Sequence, residues 1–249
     1  MAGKPAKKRL DQMLVERGLV EGLALAQGLI MAGKVFSGEK KLDKAGQQVP
    51  RDVALEVRSQ DHPWVSRGGL KLAHGLAEFN LSTNDCICVD VGSSTGGFTD
   101  VMLAGGASRV YAVDVGQGQL AWKLRSDDRV VVLEKTNARH LTSEVILDPI
   151  DFISCDASFI GLRTLLPASL ALAIPGAHLI SLIKPQFEVA RHEVGEKGVV
   201  WDKKLHSAVC FKIKDWLDGF PGWTVLGLTQ SPIKGPEGNI EFLIAAKKS

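Results

Sequence analysis

From Cys86 to the end of the chain, short apolar segments alternate with longer amphipathic ones. Short apolar runs bounded by turn residues are typical of buried strands, and the stretches between them are typical of crossover helices. This order predicts an α/β fold with an open, largely parallel sheet. The expected strands are Cys86–Val91, Arg109–Asp114, Val130–Leu133, Phe152–Cys155, His178–Leu182, Thr224–Thr229 and Ile240–Ala246.

The connection between the last two expected strands decides the type of sheet. Residues Gln230–Asn239 are too few and too rich in turn formers for a crossover helix, so the final strand should run antiparallel to the rest. Helices are expected at Leu70–Phe79, before the first strand, and near Leu205–Leu217. We therefore predict the Rossmann-like class I methyltransferase sheet, mostly parallel with an antiparallel last strand, rather than a dehydrogenase sheet.

The chain has 249 residues, which suits one large domain and a small one. We predict a small α+β domain over residues 1–60, a linker over 61–64 and the large domain over 65–249. In the small domain, Leu10 to Arg17 and Leu23 to Met31 have helical patterns, and short strand-like pieces follow at Lys34–Phe36, Gln48–Val49 and Ala54–Arg58.

The net charge is only +2, so a nucleic-acid partner would need a local basic surface. The segment Met1–Arg9 supplies one cluster, although charge alone fits a solvated tail equally well. For a nucleic-acid partner such as RNA, the candidate contacts are Lys7, Lys8, Arg9, Arg17, Lys34 and Arg67.

Several other classes of protein are disfavoured. The four cysteines form no C-x-x-C pair and no H-E-x-x-H motif occurs, so no metal site is expected. The N terminus lacks the apolar stretch of a signal peptide, which predicts a cytoplasmic protein. Thr164–Ile183 is uncharged, but Pro175 and Gly176 interrupt it, so we expect a helix, a turn and a buried strand and no stable membrane association. The sequence does not indicate the oligomeric state.

A glycine-rich segment, Asp90–Thr99, closes the first strand and opens a helix. Gly92, Gly96 and Gly97 are expected to let the backbone pass close to a ligand. Asp114 ends the next strand, where a carboxylate can accept hydrogen bonds from an adenosine ribose. Ser94 stands where a dinucleotide motif requires glycine, and a Walker lysine is absent. S-adenosylmethionine is thus favoured over NAD, with Asp90, Gly92, Ser94, Gly96, Gly97, Asp114 and Asn137 as candidate cofactor-binding residues.

Ligands of open parallel sheets bind beyond the carboxyl ends of the strands. Asp156 and Lys184 follow two expected strands there, and the antiparallel last strand brings Glu241 to the same edge. The helix before the first strand should begin over that edge, which adds Lys71. Each residue alone could be an ordinary surface residue, but their convergence predicts a catalytic site formed by Lys71, Asp156, Lys184 and Glu241.

These groups suit methyl transfer to a ribose 2′-hydroxyl, whose pKa lies far above neutrality. Attack on a sulfonium methyl needs help with deprotonation and in-line alignment, and orientation alone can contribute roughly 7–11 kcal/mol. Lys184 is interpreted as the base or hydroxyl-steering group and Asp156 as its support. Lys71 and Glu241 would complete the network.

The four residues resemble the Lys-Asp-Lys-Glu tetrad of FtsJ-type RNA 2′-O-methyltransferases, and the whole chain resembles the TlyA family. The matching blocks are Val65–Leu72, Asp90–Asp100, Asp156–Ile160, Ile183–Glu188 and Gly235–Glu241. The resemblance implies an S-adenosylmethionine-dependent enzyme that methylates a cytidine ribose of ribosomal RNA within a ribosomal subunit. It also implies that the small domain is an RNA-binding module of the kind first seen in a small-subunit ribosomal protein, with Ala26–Val35 as the core of the match.

Two departures from the family pattern concern RNA contacts. Gly22-Leu23 replaces a frequent Ser-Arg pair at the start of the second helix, which removes a favoured cap and a phosphate contact. Trp201 stands where relatives often have arginine. Two other hypotheses remain at this point: a haemolysin-like lytic protein, because the family is also catalogued as haemolysin, and a catalytically inactive ribosome-binding protein.

Overall fold

The computed structural model describes residues 7–57 and 62–249, which form two compact units that divide between Pro63 and Trp64. Of the predicted linker, Asp61 lies outside the described residues. Trp64 is part of the larger unit, because its side chain is partly buried against that unit's core and fills the space above Gly69.

The small unit is an α+β structure with its own apolar core. Leu10, Leu14 and Ile30 are fully buried in it. The end of the basic N-terminal segment forms a strand that pairs antiparallel with Gln48–Pro50, whereas residues 1–6 and Arg58 lie outside the described residues. The elements are β1 (Lys7–Arg9), α1 (Leu10–Glu16), α2 (Leu23–Met31), β2 (Val35–Ser37), β3 (Lys40–Lys41), β4 (Gln48–Pro50) and β5 (Glu56–Val57).

The large unit is built on a seven-stranded sheet. Its strands are β6 (Ile87–Val91), β7 (Arg109–Val113), β8 (Val130–Leu133), β9 (Ile150–Cys155), β10 (Ala173–Ile183), β11 (Trp223–Gln230) and β12 (Phe242–Lys248). The strand order is β11-β12-β10-β9-β6-β7-β8, and β12 runs antiparallel to both of its neighbours. The predicted fold class is confirmed, including the antiparallel last strand.

Helices cover both faces of this sheet. Leu72 of α3 and Met102 of α4 pack on one face, and Leu170 of α7 and Ile213 of α8 pack on the other. The helices are α3 (Gly68–Glu78), α4 (Gly97–Ala104), α5 (Trp122–Arg125), α6 (Leu162–Leu165), α7 (Pro167–Leu172) and α8 (Lys203–Asp218). Burial on both faces explains why the parallel strands appear in the sequence as nearly continuous apolar runs.

The turn predicted at Pro175-Gly176 is wrong, because both residues lie inside β10. The pairing of β10 with β9 jumps from Ala173–Ile150 to His178–Phe152, so the extra residues of β10 form an irregular bulge. Gly176 has φ of 88° there, and a bulge is a position where a strand tolerates proline. Within residues 7–57 and 62–249, the helices are all too short or too polar to cross a lipid bilayer.

Candidate active site

Four charged side chains meet at the carboxyl edge of the sheet. Lys184 Nζ lies 2.6 Å from Asp156 Oδ1, and Lys71 Nζ lies 3.5 Å from Asp156 Oδ2. On its other side, Lys71 Nζ donates a hydrogen bond of 2.7 Å to Glu241 Oε2. The structure thus brings together the four residues that the sequence placed at one site, as a chain of alternating charge from Lys184 through Asp156 and Lys71 to Glu241.

Each member of this tetrad is held by a different element. Asp156 directly follows β9 and Lys184 directly follows β10, while Glu241 immediately precedes β12. Lys71 lies in the first turn of α3, whose start lies over this edge. Lys71, Lys184 and Glu241 are buried, and such charges are stable in a protein interior only when they are paired.

Lys184 Nζ contacts three oxygen atoms. It forms the ion pair with Asp156 Oδ1, and it donates hydrogen bonds to the Asp156 carbonyl oxygen at 3.2 Å and to Ser158 Oγ at 3.0 Å. Ser158 was not predicted as a site residue, although it lies in the Asp156–Ile160 block. Its only signal in the sequence is a hydroxyl two residues after a site carboxylate.

Glu241 is the least exposed member, with 1% of its surface accessible. Its Oε1 has no hydrogen-bond partner among the described residues. The carboxylate lies against Gly235, where an added Cβ would be 2.1 Å from Oε1. Glu241 therefore depends on Lys71 for compensation of its charge.

Two glycines of the loop after β6 are required by its geometry. Gly92 has φ of 81°, and a Cβ there would lie 2.8 Å from the Ala157 backbone. Gly96 has φ of 95° and precedes α4, where a Cβ would collide with Leu124. Gly97, the first residue of α4, is packed against the backbone of Gly69. A Cβ at each of these positions would meet the protein itself. Gly92 and Gly97 also line cavities at this edge, and the predicted contact of the three glycines with a ligand stays a prediction.

Asp90 lines neither of the two cavities described below, and this does not support its predicted contact with the cofactor. The residue is fully buried, and it accepts hydrogen bonds from Thr99 Oγ1 at 2.6 Å and from Ser154 Oγ at 3.0 Å. Burial raises its pKa to about 6, against the effect of these two hydroxyl donors. Asp90 thus connects β6, β9 and α4 beneath the loop.

Asp114 lies at the end of β7, where the sequence placed a ribose-binding acid. Its carboxylate accepts the backbone N–H of Ser94 at 2.8 Å and that of Gly116 at 2.7 Å. Asn137 follows β8, and its side-chain oxygen accepts the Arg139 N–H at 3.1 Å, so its amide group is held in place by the turn that it caps. Asp114, Ser94 and Asn137 all line one cavity.

Two cavities open at this edge and meet at the tetrad. The larger has a volume of about 730 Å³ and extends from Asp114 and Asn137 to Asp156. The smaller has a volume of about 490 Å³ and contains Lys71, Lys184 and Arg67. Both are lined by Gly92, Ser94, Asp156 and Ser158. The two cavities therefore adjoin at Asp156, and Lys184 lines the smaller one.

The basic residues predicted to contact RNA differ in their contacts within the protein. Arg67 lines the smaller cavity. In the small unit, Lys8 forms an ion pair with Glu16, and Arg9 forms one with Asp11, lowering the pKa of that carboxyl to about 2. Arg17 donates to the carbonyl oxygens of Arg51 and Val53. Lys7 is exposed and Lys34 is partly buried.

Similarity to known proteins agrees with this geometry. The chain is 49% identical to "Putative rRNA methyltransferase YqxC" of Bacillus subtilis, over 96% of this chain and 85% of that protein. It is 44% identical to the 16S/23S rRNA (cytidine-2′-O)-methyltransferase TlyA of Mycobacterium tuberculosis, over 96% and 89% of the two chains. A solved structure, "Putative hemolysin from Streptococcus thermophilus", superposes with a TM-score of 0.74 at 42% identity, over 99% of this chain and 90% of that one. The FtsJ-like methyltransferase family matches residues 64–248. This chain belongs to the FtsJ-like methyltransferase family.

Proposed function

We propose that this protein transfers a methyl group from S-adenosylmethionine to the 2′-hydroxyl of a ribose, that of a cytidine, in the RNA of a ribosomal subunit. The observation that carries the proposal is the chain Lys184–Asp156–Lys71–Glu241 at the junction of two cavities. The names of the relatives from Bacillus subtilis and Mycobacterium tuberculosis support ribosomal RNA as the substrate.

The larger cavity fits S-adenosylmethionine. Its volume of about 730 Å³ is within the roughly 300–1,000 Å³ of small-molecule sites. The Asp114 carboxylate can accept hydrogen bonds from the two ribose hydroxyls, and Asn137 lies where it can contact the adenine. When bound, S-adenosylmethionine supplies an electrophilic methyl group on a positively charged sulfur. Gly92, Ser94, Asp156 and Ser158 line both cavities, so a methyl group of the bound cofactor would be passed to the second reactant beside them.

The tetrad acts on the other reactant. A ribose in the smaller cavity can present its 2′-hydroxyl to Lys184 Nζ in place of the Ser158 hydroxyl, which is the one uncharged side-chain acceptor of that amine. Lys184 accepts the proton that leaves the hydroxyl as the oxygen–methyl bond forms and the sulfur–methyl bond breaks, which releases S-adenosylhomocysteine. Asp156 orients the amine and balances the charge of the ammonium that proton transfer produces.

RNA binding is assigned to two regions. Arg67 and Lys234 line the smaller cavity and can contact the phosphates beside the target nucleotide. In the small unit we propose Lys7, Lys8, Arg9, Arg17 and Lys34 as contributors. Arg9 and Arg17 have internal partners, so they contribute mainly to the local field and to the shape of the surface.

The test is to map 2′-O-methyl groups on ribosomal RNA with and without the gene. A cytidine site should disappear in its absence and return with the wild-type protein, but not with Lys184→Ala. Lys212→Ala, which removes an exposed lysine of α8, is the matched control and should restore the site. A base methylation in place of the ribose methylation would contradict the mechanism.

The lytic and the non-catalytic hypotheses are tested with the same proteins. Lysis of red cells that persists in Lys184→Ala, together with no methylation of RNA by the wild type, would favour a lytic protein. Failure of the wild type to bind S-adenosylmethionine in calorimetry would favour a ribosome-binding protein without catalysis.

A further inference from the structure

Trp201 is an exposed aromatic residue, and the proposed reaction does not use it. Its residue surface is 70% accessible, whereas tryptophan side chains are highly buried on average. It is preceded by Val199 and Val200, which are buried, and followed by Asp202, which caps α8. The backbone around Trp201 is therefore fixed while its indole faces solvent.

The indole has a defined support. A Cβ on Gly195 would lie 3.5 Å from Trp201 Cδ1, so the ring packs along the backbone of that glycine. A backbone hydrogen bond closes the turn from Gly195 to Val199: the Gly195 N–H donates to the Val199 carbonyl oxygen at 2.9 Å. On the other side, His206 Nε2 lies 2.8 Å from the Val200 carbonyl oxygen. The ring is thus presented from an ordered surface.

Hydrogen bonds connect this surface to the smaller cavity. Asn239 Oδ1 accepts the Val200 N–H at 3.2 Å, and Asn239 Nδ2 donates to the Gly198 carbonyl oxygen at 3.0 Å. The Asn239 carbonyl oxygen accepts the Gly235 N–H at 2.9 Å, and Gly235 lines the smaller cavity and contacts Glu241. Asn239 therefore joins Val200, the residue before Trp201, to Gly235 in the lining of the cavity assigned to the target ribose.

The charges beside Trp201 suit a polyanion. Lys197, Lys203 and Lys204 are exposed, and no acidic side chain forms an ion pair with them among the described residues. Asp202 is occupied as the cap of α8, accepting the Lys204 N–H at 2.8 Å. Glu196 and Asp202 are the exposed acids next to these lysines in the sequence. Lys234, at the cavity itself, extends the basic surface.

We infer that Trp201 is a stacking platform for an unpaired RNA base next to the methylated nucleotide. An aromatic ring supported on one face and surrounded by cations matches the way in which single-stranded RNA is bound, by base stacking combined with phosphate contacts. The inference rests on the proposed function, since the RNA strand is placed by the target ribose in the smaller cavity. It adds a residue that binds substrate without taking part in methyl transfer.

The experiment compares Trp201→Ala with Trp201→Phe, which keeps an aromatic ring, and with Phe211→Ala as the control. Phe211 is also 70% exposed, but it lies on α8 about 12 Å beyond its first residue, away from the site edge. Rates are measured with labelled S-adenosylmethionine and ribosomal subunits from cells that lack the gene. Trp201→Ala should raise KM for the subunits by about 5- to 100-fold and leave kcat and the Kd of S-adenosylmethionine unchanged. Trp201→Phe should recover most of the loss, and Phe211→Ala should match the wild type.

Other outcomes would overturn the inference. If Trp201→Ala has the wild-type KM while the wild type is active, Trp201 does not contact RNA and the proposed function stands. If the wild type methylates no RNA, the proposed function fails and this inference fails with it. If Trp201→Ala instead weakens binding to vesicles of phosphatidylglycerol and phosphatidylcholine, the exposed ring serves a membrane and the assignment to RNA is wrong.

Discussion

Lys71 Nζ and Glu241 Oε2 lie 2.7 Å apart, although 170 positions of sequence separate the two residues. Both residues are buried. The other carboxylate oxygen of Glu241, Oε1, has no hydrogen-bond partner among the described residues. The pair joins the start of α3 to the start of β12. It therefore both stabilises the sheet edge and fixes the position of the other tetrad members.

The first prediction concerns the stability provided by this pair. Glu241→Leu leaves the Lys71 ammonium buried beside Asp156 alone, at 3.5 Å. Breaking a buried ion pair by removing one partner costs about 3–5 kcal/mol, and the remaining carboxylate places the expected loss at the lower end. Urea unfolding of the wild type and the variant measures the change.

The double variant Lys71→Met/Glu241→Leu is the control for this argument. Replacing both charges with apolar groups of similar size should restore most of the free energy of unfolding, because no uncompensated charge remains. Methylation activity should stay lost. If the loss of stability in the double variant equals the sum of the losses in Lys71→Met and Glu241→Leu, the two residues do not stabilise each other.

The convergence of the tetrad could be predicted from the sequence because it follows from topology. Strand ends of a parallel sheet share one edge, and the missing crossover helix before β12 reverses that strand and brings Glu241 to the same edge. Those features depend on the order of the short apolar segments and the longer amphipathic ones, which a single sequence shows clearly.

Other features depend on which face a side chain occupies or on local packing. Asp90 alternates with Val89 and Val91 in a strand buried on both faces, so periodicity cannot show that its carboxylate points to Thr99 and Ser154 instead of a ligand. Likewise, a proline such as Pro175 usually ends a strand. Only the pairing of β10 with β9 shows that a bulge accommodates Pro175 here.

A second prediction tests the cofactor site. Asp114→Ala removes the acceptor for the ribose hydroxyls, and hydrogen bonds to charged groups contribute about 1.5–3 kcal/mol. The Kd of S-adenosylmethionine should rise roughly 10- to 100-fold in calorimetry. Asp128→Ala, an exposed acid in the turn before β8, should leave the Kd unchanged. An unchanged Kd in Asp114→Ala would place the ribose elsewhere.

A third prediction separates the roles of Ser158 and Lys184. Ser158→Ala frees one Nζ hydrogen of Lys184 without changing any charge, so a substrate hydroxyl can still bind there. We expect kcat to remain within about tenfold of the wild type, whereas Lys184→Ala should lower it by roughly 10²–10⁴-fold. Single-turnover rates at saturating cofactor measure both. Equal losses would indicate that the Ser158 hydroxyl, rather than Lys184 directly, handles the proton.

The last prediction uses the pH dependence of stability. Burial raises the pKa of Asp90 from 3.8 to about 6, so the folded protein holds this proton more tightly than the unfolded chain does. The contribution of the protonated group to stability is present below pH 4 and is lost as the pH rises through about 6. The full difference corresponds to about 3 kcal/mol.

Asp90→Asn removes this titration while keeping the shape of the side chain and its ability to bond to Thr99 and Ser154. The free energy of unfolding of the variant, minus that of the wild type, should therefore increase between pH 4 and pH 7 by up to about 3 kcal/mol. Other carboxylates titrate alike in both proteins and cancel. A difference for Asp90→Asn that does not vary with pH would mean that the Asp90 carboxylate is not desolvated in the folded protein.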